Sequence, residues 1–233
     1  MRQQSRLVIY DGCEPCPYVP GRTARMPIEW FGPRVGPERL DRLLAEGYRR
    51  SGRFYYRLQC PACRACQAVR VSPQRFRPSS TQRRIWRRMA HQIRIEIGVP
   101  QLDEVRLELF NRHRLERNLG REPFTTTEYH AFLVDTTCPT MEVDFYKGER
   151  LVAVAITDVG ARSWSAVYCY FDPDESAWSP GVFAILAQLD LACRRQIDYL
   201  YLGLYAEDAV HLCYKAHYHP QERLQDGRWL LVP

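Results

Sequence analysis

The chain has 233 residues, of which 45% are hydrophobic, 12% aromatic and 26% charged, with a formal net charge of +6, a size and balance suited to one large soluble domain or two small ones. No apolar run approaches the ~20 residues of a membrane span. The opening MRQQSRLVIYDG has neither a long apolar core nor a small-residue cleavage site, so the sequence reads as that of a cytoplasmic protein with no membrane partner.

In chain order, VGPERLDRLLAEGYRR predicts a helix, with Pro37 in its first turn and Gly47 at its end. RFYYRLQ and QAVRVS read as strands flanking a cysteine knuckle. SSTQRRIWRRMAHQ reads as a helix capped by Ser79 or Ser80, with Ile85 and Met89 inward and Arg83, Arg84, Arg87 and Arg88 together on one face. IRIEIGV is a short strand, QLDEVRLELFNRHRLERN a helix, and TTTEYHAFLVDT a third helix opened by a threonine cap. The pattern then turns to β. MEVDFYKGERLVAVAITDVG gives two strands about a turn at Lys147-Gly148-Glu149, and RSWSAVYCYFDP gives another. SPGVFAILAQLDLACRRQ is an amphipathic helix with Val182, Ile185, Leu186 and Leu189 on one side. IDYLYLGLY is a buried strand and GRWLLV a closing one. The class is α+β. A break near residues 95–103 divides a cysteine- and arginine-rich module, 1–98, from a second domain, 99–233.

Charge is segregated. Arg49 to Arg94 holds thirteen arginines with no lysine and no acid, whereas Tyr170 to Cys213 sets seven acids against Arg194 and Arg195. A basic first half suits a phosphate-bearing partner, and abundance of arginine alone does not explain the missing acids.

Nine cysteines is an odd, clustered count that argues against a disulfide scaffold. CEPC (Cys13, Cys16) and CPAC (Cys60, Cys63) are two C-x-x-C pairs, the sequence form of a tetrahedral zinc site. Cys66 extends the second into C-x-x-C-x-x-C, a spacing that also admits an iron–sulfur cluster. Reduced cysteines packing the knuckle are the alternative. The six histidines show no metalloprotease or triad spacing.

The strand–strand–strand–helix–strand order of the second half resembles the acyltransferase fold shared by N-acetyltransferases and tRNA-dependent aminoacyltransferases. WSPGVF stands where that fold sets a helix N-terminus beside a splayed strand pair, a place that can hold a phosphate or acyl oxygen. The blocks CPYVPGRTAR, GYRRSGRFYYRLQCPACRACQAVRV, FRPSSTQRR, SAVYCYFDPD and YLYLGLY…YKAHYHP…DGRW together resemble the bacterial branch of the aminoacyl-tRNA–protein transferases, in order and over nearly the whole chain. The resemblance implies transfer of an amino acid, leucine first and arginine second, from aminoacyl-tRNA to proteins beginning with Asp or Glu, which marks them for an N-degron route. It implies no cofactor for the transfer itself; a structural zinc or cluster is linked to the cysteines of distant eukaryotic relatives. The chain departs from the family pattern at Ala206 to Cys213, around NRHRLERNLGREPF and at SPGVF.

An amine attacking an activated ester needs a neutral nucleophile, a donor to the oxyanion and a proton for the leaving ribose oxygen. Tyr168, Tyr170 and Asp172 alternate at a strand end and are candidates for these roles; otherwise the tyrosines fill the sheet and Asp172 opens a turn. Tyr214 and Lys215 are a second pair, with Lys215 placed to meet a phosphate or an acceptor carboxylate. In RRSG, Arg49, Arg50 and Ser51 are candidates for the acceptor's acid or the tRNA end. Arg83, Arg84, Arg87 and Arg88 suit the tRNA backbone, and Tyr55, Tyr56 and Trp86 suit stacking on bases or simple core packing. Two rival functions are an RNA-binding relative without transfer activity and a coenzyme A-dependent N-acyltransferase; the absence of a glycine-rich pyrophosphate loop disfavours the second.

Overall fold

The computed structural model describes residues 6–232. Its frame is an eight-stranded sheet in the order β14-β13-β7-β12-β11-β10-β9-β8, where β7 is Gln67–Val71, β8 Ile93–Gly98, β9 Thr140–Lys147, β10 Arg150–Val159, β11 Ser163–Phe171, β12 Tyr199–Tyr205, β13 Gln221–Gln225 and β14 Arg228–Val232. A four-stranded sheet, β1-β4-β6-β5, holds β1 (Leu7–Tyr10), β4 (Ile28–Trp30), β5 (Arg49–Ser51) and β6 (Phe54–Tyr56), while β2 (Cys13–Pro15) and β3 (Thr23–Arg25) form a separate pair.

Helix termini follow the local chemistry of the sequence. α1 (Pro37–Ala45) opens with proline at its first position, where no intrahelical N–H is lost. α2 (Ser80–Met89) starts at a capping box: Gln82 N donates to Ser79 Oγ at 3.2 Å and Ser79 N donates to Gln82 Oε1 at 2.8 Å. α3 (Glu104–Glu116) is capped by Asp103, which accepts from Arg106 N at 2.8 Å. Thr125 and Glu128 box the start of α4 (Thr126–Tyr129), which widens into a π turn over His130–Val134. β9 and β10 meet at a two-residue turn in which Gly148 takes φ +62°.

α5 (Pro180–Arg194) crosses from β11 to β12. The expected one-sided stripe is exceeded, since every residue from Phe183 to Leu189 is buried while Val182 is half-buried. The reason is a second layer: α2 lies on α5, and Trp86 stacks on Phe183 at 5.3 Å. A helix covered on both sides has no solvated face to keep polar.

Two features of the large sheet set its shape. β7 comes from the first module but pairs with β12 and β13, and β8 pairs with β9. The division at 98/99 is therefore one of sequence, and both segments contribute to one sheet. Secondly, β11 and β12 are parallel but pair only from Ser163–Ser165 to Tyr199–Tyr201; beyond that they separate. Antiparallel strands, a crossover helix and a parallel strand that splays from its neighbour make up the acyltransferase architecture.

Candidate functional site

β11 and β12 part beyond three paired residues, and side chains from distant segments border the cleft between the two strands. At Gly203 the pairing of β12 with β7 shifts register and the backbone takes φ +82°. Arg49, projecting from β5, lays its guanidinium over this glycine: a Cβ there would stand 2.8 Å from Arg49 Cζ. The Tyr56 ring lies 5.9 Å from the same guanidinium, and Tyr18 and Tyr214 face it as well. Among the described residues no carboxylate pairs with Arg49. The result is a half-buried cation enclosed by aromatic rings without a counter-ion.

The segment that enters the splay is a 3-10 turn, Cys213–His217. Tyr214 stays 39% exposed, while burial of its hydroxyl pushes the phenol up to about 12, so it keeps its proton at neutral pH. Lys215 is buried, and its Nζ donates to Leu204 O at 2.6 Å. Burial, with Arg49 nearby, holds its amine well below the usual lysine range. The structure thus sets Lys215 beneath the cleft as a brace on β12, where it cannot serve as the outward phosphate or carboxylate contact expected from sequence.

Other sequence candidates separate. Tyr168 and Tyr170 share a face of β11, as alternation requires. Tyr168 is half-buried against Phe110 and Phe132, at 5.6 and 5.4 Å, and burial pushes its phenol up to about 12. Tyr170 is fully buried, its hydroxyl 2.6 Å from that of Tyr129; that places it in the core and out of reach of a substrate. Asp172 is buried too, paired with Arg150 and, at 3.4 Å, with Arg112, and it accepts from Asp174 N at 3.1 Å to cap the following turn. Two guanidinium groups thus face it, and its other contact caps the turn.

Arg50, adjacent to Arg49, faces the opposite way. It is buried against Asp158 at 2.7–2.9 Å and donates to Gly52 O at 2.9 Å, tying the four-stranded sheet to β10 in place of binding substrate. Ser51 is half-buried in β5 opposite Phe54. Tyr55 is core, and Trp86 is committed to Phe183, so neither is a free stacking platform. The α5 start is partly closed: Trp178 and Pro180 are buried and Gly181 is half-buried near Phe171.

Arg83, Arg84, Arg87 and Arg88 are all exposed or half-exposed and, with Ser80, line an open hollow of about 500 Å³. Among the described residues none of the four has an acidic partner. Their helix is connected to the cleft, because Gln82 Nε2 donates to His217 O at 3.1 Å. Sequence reasoning missed Tyr18, Gly203 and Arg117. The last faces Cys169 and Tyr214 and lies 4.9 Å from the Phe171 ring. Tyr18 lay inside the CPYVPG block, Gly203 inside YLYLGLY and Arg117 inside NRHRLERNLGREPF, but nothing within those blocks singled them out.

Cys16, Cys60, Cys63 and Cys66 line one cavity of about 360 Å³ with Tyr18 and Arg64, while Cys13 is exposed on β2 outside that lining. The Cys63 thiol is held below its usual range by the Ala65 amide and by Arg22, whose Nη1 donates to Sγ at 3.1 Å. Burial pushes Cys66 up to about 11. The thiols gather, yet among the described residues no three Cys, His, Asp or Glu side chains stand close enough to hold a metal ion.

No helix among the described residues is long and apolar enough to cross a membrane. The profile described as arginine-tRNA-protein transferase, N terminus, matches residues 14–84, and that described as arginine-tRNA-protein transferase, C terminus, matches residues 105–225. An aspartate/glutamate leucyltransferase of Aeromonas hydrophila is 40% identical over 81% of this chain and 79% of its own. Proteins of the same name from Hahella chejuensis and Acinetobacter baylyi are 32% and 36% identical, over 97% and 92% of this chain and 97% and 80% of theirs. Among solved structures, the ribosomal-protein-S18-alanine N-acetyltransferase of Escherichia coli aligns with a TM-score of 0.35 at 14% identity over 46% of this chain and 64% of that one. The chain belongs to the aminoacyl-tRNA–protein transferase family.

Proposed function

We propose that the protein transfers leucine from aminoacyl-tRNA to the N-terminal amine of proteins beginning with Asp or Glu, in the bacterial cytoplasm. The observation that carries the reading is Arg49, an enclosed guanidinium with no internal acid, open to a cleft of the kind in which acyl transfer occurs. An unpaired cation among aromatic walls is suited to a carboxylate brought by a substrate. The arginine face of α2 offers contacts to the tRNA backbone, and its link to the 213–217 turn puts that contact beside the cleft.

The chemistry asks little of the protein. The amine's nitrogen forms a bond to the ester carbonyl carbon, the carbon–oxygen bond to the terminal ribose breaks, and the ribose oxygen leaves with a proton. Alignment of two bound reactants supplies most of the acceleration. Tyr214, protonated at neutral pH, is our candidate donor to the oxyanion or the ribose oxygen. Leucine is favoured over arginine because Arg49 and Arg117 both face Tyr214, and a cationic side chain would meet like charge there. The names of the curated relatives agree with that order.

The test is transfer from purified leucyl- and arginyl-tRNA to peptides starting with Asp, Glu, Asn or Gln, read by mass spectrometry. Leucylated Asp and Glu peptides are the expected product. Tight binding of tRNA without product would favour the RNA-binding alternative, for which the divergent Ala206 to Cys213 segment is the motive.

A further inference from the structure

The outer edge of the eight-stranded sheet is β8, which has β9 as its one neighbour among the described residues. Residues 94–99 are all exposed, with Ile95 at 39%, Ile97 at 50% and Val99 at 70%. Unpaired backbone flanked by apolar side chains is a template for another strand.

The sequence of β8 is Ile-Arg-Ile-Glu-Ile-Gly. Its isoleucines share the helix-covered face. Ile93 is in the core with Met89 and Phe183, and Ile95 and Ile97 continue into an open groove of about 320 Å³ beside Trp86, Ala187 and Leu191. Arg94 and Glu96 occupy the other face, where Arg94 lies over the Tyr146 ring at 4.4 Å and contacts Glu96.

We propose that this edge pairs antiparallel with the same edge of a second copy of the chain, about a two-fold axis at Ile95. Directly opposed residues of an antiparallel pair lie on one face and interact. An axis at Ile95 sets Arg94 opposite Glu96 of the second copy and Glu96 opposite its Arg94. It also sets Ile93 opposite Ile97, and Ile95 opposite itself. An axis at Arg94 opposes two arginines, and one at Glu96 opposes two glutamates. Of these three axes only the one at Ile95 opposes unlike charges twice, and the contact closes at two copies because each uses the same surface. The cleft between β11 and β12 lies inward of β8, with β10 and β9 between, so pairing leaves both clefts open.

Light scattering over a concentration series up to on the order of 100 µM chain, the regime of a small interface, tests this. The wild-type protein is expected to move from one-chain to two-chain mass. R94E and E96R each replace two opposite-charge pairs with two like-charge pairs and are expected to weaken association by about tenfold or more. The double variant R94E/E96R restores opposition and regains two-chain mass. An equimolar mixture of the two single variants does the same, because an acidic edge then meets a basic one. Far-UV circular dichroism of each variant should match the wild type, since both positions are exposed. A wild-type protein of one-chain mass throughout overturns the proposal, as does a two-chain mass indifferent to charge reversal or a double variant that fails to recover.

Discussion

Arg49 lies flat on the backbone of Gly203, its Cζ 2.8 Å from where a Cβ would be. Gly203→Ala asks alanine to adopt φ +82°, at a cost of about 1–2 kcal/mol, and forces the guanidinium off its seat. The expected outcome is a melting temperature lower by several degrees and a far larger fractional loss of transfer, measured by calorimetry and peptide leucylation.

Arg49→Gln keeps a hydrogen-bonding head but removes the charge. If Arg49 receives the acceptor's acid, kcat/KM for Asp and Glu peptides should fall by about two orders of magnitude, in keeping with the cost of an unpaired buried charge. Binding of leucyl-tRNA should change little, and discrimination against Asn and Gln peptides should shrink. An equal loss for all four peptides would refute the assignment.

Arg50 and Asp158 make the opposite case. Both side chains are 1% exposed, so removing one partner strands a buried charge at a cost of about 3–5 kcal/mol. Arg50→Ala should lower the urea midpoint steeply. Replacing both residues, Arg50→Met with Asp158→Leu, should recover much of the loss.

The α2 arginines predict a salt signature. Each of Arg84→Ala, Arg87→Ala and Arg88→Ala should weaken tRNA binding and reduce the slope of log K against log salt by about one, with helix content unchanged. A slope equal to wild type in all three would place the tRNA elsewhere.

His113 is buried and neutral: burial, with Arg117 adding to it, pushes its imidazole down to about 4 from 6.5, and its Nδ1 accepts from Phe171 N at 3.1 Å. A depressed pKa contributes stability that is full above 6.5 and lost as pH falls through about 4. The acid limb of the stability curve should therefore be steeper in wild type than in His113→Asn, whose amide oxygen can accept the same bond; urea midpoints between pH 7 and pH 4 give the comparison.

Legibility from sequence followed how local the physics is. α2 was readable to within a residue of its cap, Ser79 or Ser80, because the Ser79–Gln82 pair that opens it is satisfied within one turn. β9, β10 and β11 were readable because their connections are short. The choice between Arg49 and Arg50 was not, since successive side chains on a strand face opposite ways and the acid that claims Arg50 comes from β10, at Asp158. Tyr170 and Asp172 misled for the same reason: Tyr129, Arg112 and Arg150, which occupy them, arrive from other segments. β13 and the seat at Gly203 depend on β7 entering the sheet, a pairing without local signature.

That entry of β7 has a consequence for synthesis. Residues 67–71 emerge early from the ribosome, yet both their neighbours, at 199–205 and 221–225, are translated near the end. The strand must wait through most of elongation with its edges uncovered, and the cleft acquires its floor only when the last segments arrive. A nascent chain cut short anywhere before β12 therefore lacks Gly203 and the seat it gives Arg49.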